Sequence, residues 1–141
     1  MNSKRNSSNP LHIITSTVNI PYFLDTILKN AKKYNYTLIH ISTDYVFNGK
    51  KRNYYKPDDK RNALNKYGYS KYLAEQRILN NLKSNSIIIR VSWLYSSFSN
   101  NFFSSIKSKI LNSKNLFMVS DMYSHPTSTN NLSNFILHLI S

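Results

Sequence analysis

TLIHISTDYVFNG, residues Thr37–Gly49, is the stretch on which the fold turns. Its first six residues, Thr37–Ser42, are β-branched or apolar in the main and carry no acidic or basic charge apart from what His40 can take up. That is the composition of a buried strand. His40 falls within it and reads as a core histidine with its hydrogen bonds satisfied. Upstream, Phe23, Leu24, Ile27, Leu28 and Ala31 recur at the spacing of one helix face. Asn19 is placed to cap that helix, Pro21 is tolerated in its first turn, and Asn35 stops it after about Tyr34. Leu11–Ile14 reads as a small strand or the remnant of one, behind a flexible lead-in over residues 1–10.

Downstream of Gly49 the chain stays polar as far as Lys66, with seven basic residues between Lys50 and Lys66. A loop of that length in a compact domain is usually functional. YGYSKYLAEQRILNNLK, beginning at Tyr67, returns to helical spacing, with Leu73, Ile78, Leu79 and Leu82 as its apolar stripe. SIIIRVS (Ser86–Ser92) repeats the buried-strand pattern. Asn101–Leu111 is amphipathic, LFMVS (Leu116–Ser120) reads as a third strand, His125–Thr127 as a turn, and Asn131–Ile140 as a closing helix. Strands alternating with helices predict βαβ units and a parallel sheet with helices on its faces.

Nineteen Lys and Arg against six acids give a net charge of +13. Such a chain attracts anions, whether nucleic acid, nucleotide, phosphate or acidic lipid. A bias in residue usage that fills surface positions with lysine accounts for the same number. There is no cysteine, hence no disulfide framework or thiolate site. The four histidines are too scattered for a metal site. The apolar runs fall far short of the roughly 20 residues that cross a bilayer, and the polar start carries no apolar signal core. The expected location is the cytoplasm.

Ligands of open α/β sheets sit beyond the carboxyl ends of the strands, which is where Thr43, Asp44 and Tyr45 fall. Tyr67 and Lys71 stand four apart at the start of a helix and so share a face. A phenol beside an ammonium, with a hydroxyl to hold the substrate oxygen, suits reduction of a carbonyl or the reverse oxidation. A tyrosine phenol titrates near about pH 10, and a neighbouring cation favours its anion and so eases proton release. Tyr-x-x-x-Lys alone is a weak signal in a chain with 11 Tyr.

Four motifs in order carry more weight: LIHISTDYVFNG (Leu38–Gly49), NKYGYSKYLAEQ (Asn65–Gln76), IIIRVSWLY (Ile87–Tyr95) and DMYSHPT (Asp121–Thr127). Together they resemble the successive signatures of the dTDP-4-dehydrorhamnose reductase family, RmlD-like members of the extended short-chain dehydrogenases/reductases. Val18-Asn19 is similar to the pair that opens the preceding family helix. The resemblance implies an incomplete Rossmann-like α/β fold, with residues 17–141 as the catalytic and substrate-binding part and residues 1–16 as a lead-in or strand remnant. It implies NADPH- or NADH-dependent reduction of a nucleotide-linked 4-keto-sugar, as in dTDP-rhamnose biosynthesis. Thr43 would orient the keto oxygen, Tyr67 protonate it, and Lys71 assist Tyr67 and hydrogen-bond the nicotinamide ribose. Asp44, Tyr45 and Trp93 would line the substrate site.

The family's N-terminal dinucleotide-binding βαβ unit has no counterpart here. Its Gly-rich turn holds the pyrophosphate, and the only glycines in this chain are Gly49 and Gly68. A truncated or split form follows, whose cofactor half is encoded separately or whose activity needs a homo-oligomer. Without that half, TLIHIS is expected to have an open strand edge. Two other readings compete: a non-catalytic relative of the methionine adenosyltransferase regulatory-subunit type, and a basic nucleic-acid-binding module built on the Lys50–Lys66 loop.

Overall fold

A computed structural model describes residues 11–15, 20–98, 101–112, 115–118 and 120–141 of the 141-residue chain. The lead-in over 1–10, the Asn19 cap and the Val18-Asn19 pair lie outside these residues. The chain forms two compact units, Met1–Arg90 and Val91–Ser141.

In the first unit the order is β1 (Leu11–Thr15), α1 (Ile20–Tyr34), β2 (Thr37–Thr43), a 3-10 turn (Asp44–Val46), α2 (Lys66–Leu82) and β3 (Ser86–Val91). β1 and β2 run parallel, Leu11 opposite Thr37 through Thr15 opposite Ile41, with α1 as their crossover. β2 lies between β1 and β3. The expected open edge on TLIHIS is therefore corrected: the Leu11–Thr15 segment pairs along one side of β2 and β3 takes the other. α1 ends as its sequence predicts, because Asn35 adopts φ 54. Asparagine tolerates this left-handed conformation, and the amide of Tyr36 then donates to the Ala31 carbonyl at 2.9 Å.

Leu24, Leu28 and Ala31 of α1 pack with Leu38 of β2 and with Ala74, Ile78 and Leu82 of α2 to make the core. Phe23, expected on the same face as Leu24, is exposed instead. α2 also departs from its predicted stripe. Its buried line is Gly68, Lys71, Ala74, Glu75, Ile78 and Leu82, while Leu73 faces outward. An apolar stripe was the expectation, but two of the six buried positions are charged.

The start of α2 is fixed twice. Asn65 is extended, and its side-chain oxygen accepts from the Gly68 amide at 2.7 Å, an N-cap bond. Gly68 then lies so close to the 3-10 turn that a Cβ there would meet the Tyr45 carbonyl oxygen at 2.0 Å. Only glycine admits that approach.

The second unit holds β4 (Leu94–Tyr95), α3 (Phe102–Leu111), β5 (Thr127–Ser128) and α4 (Thr129–Ile140). β4 and β5 pair in parallel, Leu94 with Thr127 and Tyr95 with Ser128. α3 opens on a reciprocal capping box between Asn101 and Ser104. The expected strand over Leu116–Ser120 is not formed at its described residues. Leu116–Met118 has no regular structure, and Phe117 is 97% exposed. Its apolar run mimicked a buried strand, but the parallel pair of this unit is made by Thr127–Ser128 instead.

An alanine in an exposed helix interior normally stabilises by about 1 kcal/mol relative to glycine. At Gly68 the reverse is expected: Gly68→Ala should lose about 1–3 kcal/mol through forced displacement of the Tyr45 backbone. Urea denaturation of the two chains checks this, and a stabilised variant would contradict the close approach.

Candidate active site

β2 delivers its carboxyl end to the first turn of α2, and the predicted residues of the first unit gather there. Thr43 ends β2 and is buried. Its hydroxyl caps the 3-10 turn, accepting from the Tyr45 amide at 3.2 Å and donating to the Asp44 carboxylate at 3.1 Å. Asp44 thus anchors the turn, and its carbonyl also accepts from the Phe47 amide at 2.9 Å. Tyr45 is half-buried, with its ring edge-on to that of Tyr67, centroids 6.2 Å apart at 89°.

Tyr67 and Lys71, one helical turn apart, differ in environment. Tyr67 is 45% exposed, so its phenol is open to a ligand. Lys71 is buried, and its ammonium donates to the Ile41 carbonyl at 2.5 Å. That carbonyl lies two residues before Thr43 on β2. Lys71 therefore reaches β2 itself, while Tyr67 meets the turn that follows it through the ring of Tyr45. Burial pushes the Lys71 ammonium down to about 8, with the Glu75 carboxylate pulling the other way.

Glu75, absent from the sequence-derived site, lies at the centre of a buried hydrogen-bonded cluster. It is fully buried. Its oxygens accept from Ser42 Oγ at 2.6 Å, Arg61 Nε at 3.1 Å, Arg90 Nε at 2.9 Å and Arg90 Nη2 at 2.7 Å. Burial alone would raise its pKa, yet the hydrogen bonds from Arg90 and Ser42, with the charges of Arg90 and Arg61, hold it below the usual carboxylate range. Removing one member of a buried, hydrogen-bonded ion pair costs on the order of 3–5 kcal/mol. The signal was present in the sequence: Glu75 follows Lys71 by four, so if Lys71 faces the strand Glu75 does too.

His40 is buried as expected, but neither ring nitrogen has a hydrogen-bond partner among the described residues, which corrects the expectation of a satisfied histidine. The ring lies close enough to Lys71 and Glu75 to feel both charges, without a hydrogen bond to either. Burial pushes its pKa down to about 4, the Lys71 charge adding to the effect and Glu75 opposing it.

The basic loop is folded on itself. Phe47 and Tyr55 stack at 4.2 Å, the Arg90 guanidinium lies 5.0 Å over Phe47, and the Tyr55 hydroxyl donates to Asn48 at 3.0 Å. Asp59 accepts from the Lys51 ammonium at 2.5 Å and from the Lys56 amide at 2.6 Å. Lys51 and Arg61 are thus ion-paired within the chain, which weakens the case for this loop as a phosphate-binding surface.

Trp93, the remaining predicted residue, belongs to the second unit. It adopts φ 38, a left-handed conformation unusual for a bulky side chain. Its ring meets Phe102 edge-on at 4.5 Å, and its carbonyl accepts from the Thr127 amide at 3.2 Å. Among the described residues no cluster of His, Asp or Glu could hold a metal ion, and no helix is long and apolar enough to cross a membrane.

Residues 17–141 match the family described as the RmlD substrate binding domain. The chain is 40% identical over 103 residues to the spore coat polysaccharide biosynthesis protein SpsK of Bacillus subtilis, covering 73% of this chain and 36% of that protein. It is 35% identical over 109 residues to the dTDP-4-dehydrorhamnose reductase of Aggregatibacter actinomycetemcomitans, covering 77% and 37%. Among solved structures, a hypothetical dTDP-4-dehydrorhamnose reductase from Sulfolobus tokodaii aligns with a TM-score of 0.73 at 34% identity, covering 83% of this chain and 40% of that one. The dTDP-4-dehydrorhamnose reductase of Bacillus anthracis, solved in complex with NADP, aligns with a TM-score of 0.75 at 30% identity, covering 83% and 41%. The chain spans about two fifths of the length of these relatives.

The His40 environment makes acid stability a readout of the site. Its folded pKa, about 4, lies below the ordinary 6.5, so between those values the unfolded chain binds the extra proton. Stability is therefore intact above about pH 6.5 and is lost as pH falls towards 4, by about 3 kcal/mol at roughly 1.4 kcal/mol per pH unit. Urea unfolding across that window should show the loss, and His40→Leu should flatten it. An equally steep profile in the variant would contradict a buried neutral imidazole.

Proposed function

The chain belongs to the family of RmlD substrate binding domains, and on that premise we propose that it is the sugar-binding, proton-donating part of an NADPH-dependent reductase. The substrate class is a nucleotide-linked 4-keto-sugar such as dTDP-4-dehydrorhamnose. One observation carries the reading: a buried ammonium and an exposed phenol stand one helical turn apart, the first on the Ile41 carbonyl of β2 and the second against Tyr45 of the turn that the Thr43 hydroxyl caps.

Reduction of a ketone needs a hydride at carbon and a proton at oxygen. A bound nicotinamide supplies the hydride. Tyr67 supplies the proton, passing it from its hydroxyl to the sugar's 4-keto oxygen as that oxygen becomes a hydroxyl. The Lys71 charge favours the tyrosinate left behind. The Thr43 hydroxyl, which here donates to Asp44, turns by rotation of one side-chain bond to donate to the same keto oxygen. Asp44 and Tyr45, held by the 3-10 turn, form the wall against which the sugar packs.

A lysine and a tyrosine at a strand's carboxyl end fit the ribose and nicotinamide end of the dinucleotide, with Lys71 as donor to the ribose hydroxyls. The pyrophosphate end is different. Gly49 lies in the loop at φ 69 and Gly68 is packed on the Tyr45 carbonyl within α2, so neither belongs to a Gly-rich phosphate-binding turn. A second copy of the chain would bring no such turn either. On this reading the described residues serve the nicotinamide and ribose end of the cofactor and not its pyrophosphate.

Two measurements test the proposal. Calorimetry with dTDP-4-dehydrorhamnose should show binding to the chain, and substrate-dependent NADPH oxidation, measured with a pyrophosphate-binding half supplied and detectable with the unmodified chain, should fall by on the order of 10²-fold or more in Tyr67→Phe. Sugar affinity in that variant should stay within about twofold, since only a hydroxyl is lost. Unchanged turnover in Tyr67→Phe, or no binding of the nucleotide-sugar by the unmodified chain, overturns the reading.

A further inference from the structure

Lys71 is placed as part of a reaction centre, but nothing in that role explains how an ammonium is kept charged while buried on a helix face packed against a strand. The charged and titratable groups along this buried line of α2 come from four segments. His40 of β2 is uncharged near neutral pH and offers no compensation. Arg61 from the loop and Arg90 from β3 are themselves cations. Tyr67, on the same helix, is neutral when ready to donate. Among the buried described residues Glu75 is the one acid, one turn further along α2 and on the same buried line as Lys71.

Glu75 has little freedom to move. Ser42 of β2, Arg61 and Arg90 each donate to it, so three separate segments fix its two oxygens. Arg90 is fixed in turn, its Nη1 donating to the Pro57 carbonyl at 2.9 Å and its guanidinium lying over Phe47. Two arginines on one carboxylate exceed what that carboxylate needs for neutrality. They serve geometry, holding it at a set place one turn along α2 from Lys71 and tying the Asp44–Asn65 loop to β3 through it.

We infer that Glu75 is a positioning residue for Lys71: its carboxylate, locked by Ser42, Arg61 and Arg90, holds the Lys71 ammonium charged and seated on the Ile41 carbonyl. The same lock makes Lys71 sensitive to the loop, because displacing Arg61 alters the field at Glu75. This deepens the reductase reading and rests on it for its catalytic consequence, though not for its physical one. Loss of the Glu75 charge leaves the buried Lys71 ammonium without that compensation, so that it gives up its proton more readily and with it the charge that serves Tyr67.

The test reads Lys71 directly. In the full chain labelled with 13Cε,15Nζ-lysine, the Lys71 titration is followed by NMR in the unmodified protein and in Glu75→Gln, with circular dichroism to establish that the variant folds. The midpoint should fall by about one pH unit or more in Glu75→Gln. An unchanged or raised midpoint in a folded variant overturns the inference. If Glu75→Gln does not fold, the reciprocal variant decides, because coupling between two sites acts equally in both directions. In Lys71→Met, the Glu75 carboxyl carbon should titrate at a higher pH than in the unmodified chain, and an unchanged Glu75 midpoint overturns the inference. A chain that binds no keto-sugar yet shows both shifts supports the Glu75 role and counts against the reductase reading alone.

Discussion

One buried carboxylate organises the first unit. Glu75 sits where α2 crosses β2 and accepts hydrogen bonds from the strand, the long loop and β3. An unpaired charge in that position would cost several kcal/mol, so the three donors and the helix must settle together. Once they do, the rotation of α2 is fixed, and Lys71, four residues back, has no direction to face except towards β2. The Gly68 contact with the Tyr45 carbonyl then sets how closely the helix start approaches the strand end. Ion pair and glycine act at two points along one helix, one fixing its rotation and the other its distance.

This placement explains why the site is partly buried and partly open. A helix whose apolar face simply covered a strand would bury leucines along its length. α2 instead buries Lys71 and Glu75 and leaves Leu73 outside. The polar pair lowers the packing return of the helix, and Ala74, Ile78 and Leu82 with the α1 residues Leu24, Leu28 and Ala31 supply the remaining core. Tyr67, in the first turn, stays exposed, which suits a group that must meet a ligand. Such a division, with apolar packing at one end of the helix and charged or reactive groups at the other, is the usual conflict between stability and function at a binding site.

Much of this was legible in the sequence, and the failures have physical causes. The β-branched run at Thr37 and the periodicity before it gave β2 and α1 nearly to the residue, and Asn35 marked the helix stop by its tolerance of positive φ. Lys71 lies on the Ile41 carbonyl of β2 and Tyr67 against Tyr45 of the turn that Thr43 caps. Of the apolar stripe expected on α2, Ile78 and Leu82 are buried, but Leu73 is exposed and Lys71 and Glu75 share the buried line, because hydrogen bonds rather than hydrophobicity hold them there. His40 has no hydrogen-bond partner among the described residues, because the nearby Glu75 carboxylate is taken up by Ser42, Arg61 and Arg90. Leu116–Met118 has strand composition without a neighbouring strand among the described residues, and composition cannot report whether a partner exists. The two-residue pairing of β4 with β5 is too short to leave a periodic trace.

The central claim is that a keto-sugar oxygen comes to rest at the end of β2, between the Tyr67 phenol and the Thr43 hydroxyl. A crystal structure of the chain with a dTDP-linked 4-keto-6-deoxy sugar addresses it most directly. The account predicts the C4 oxygen within about 3 Å of the Tyr67 hydroxyl, with Thr43 turned away from Asp44 towards it. A sugar bound elsewhere on the chain, or one whose C4 oxygen points away from Tyr67, would contradict it.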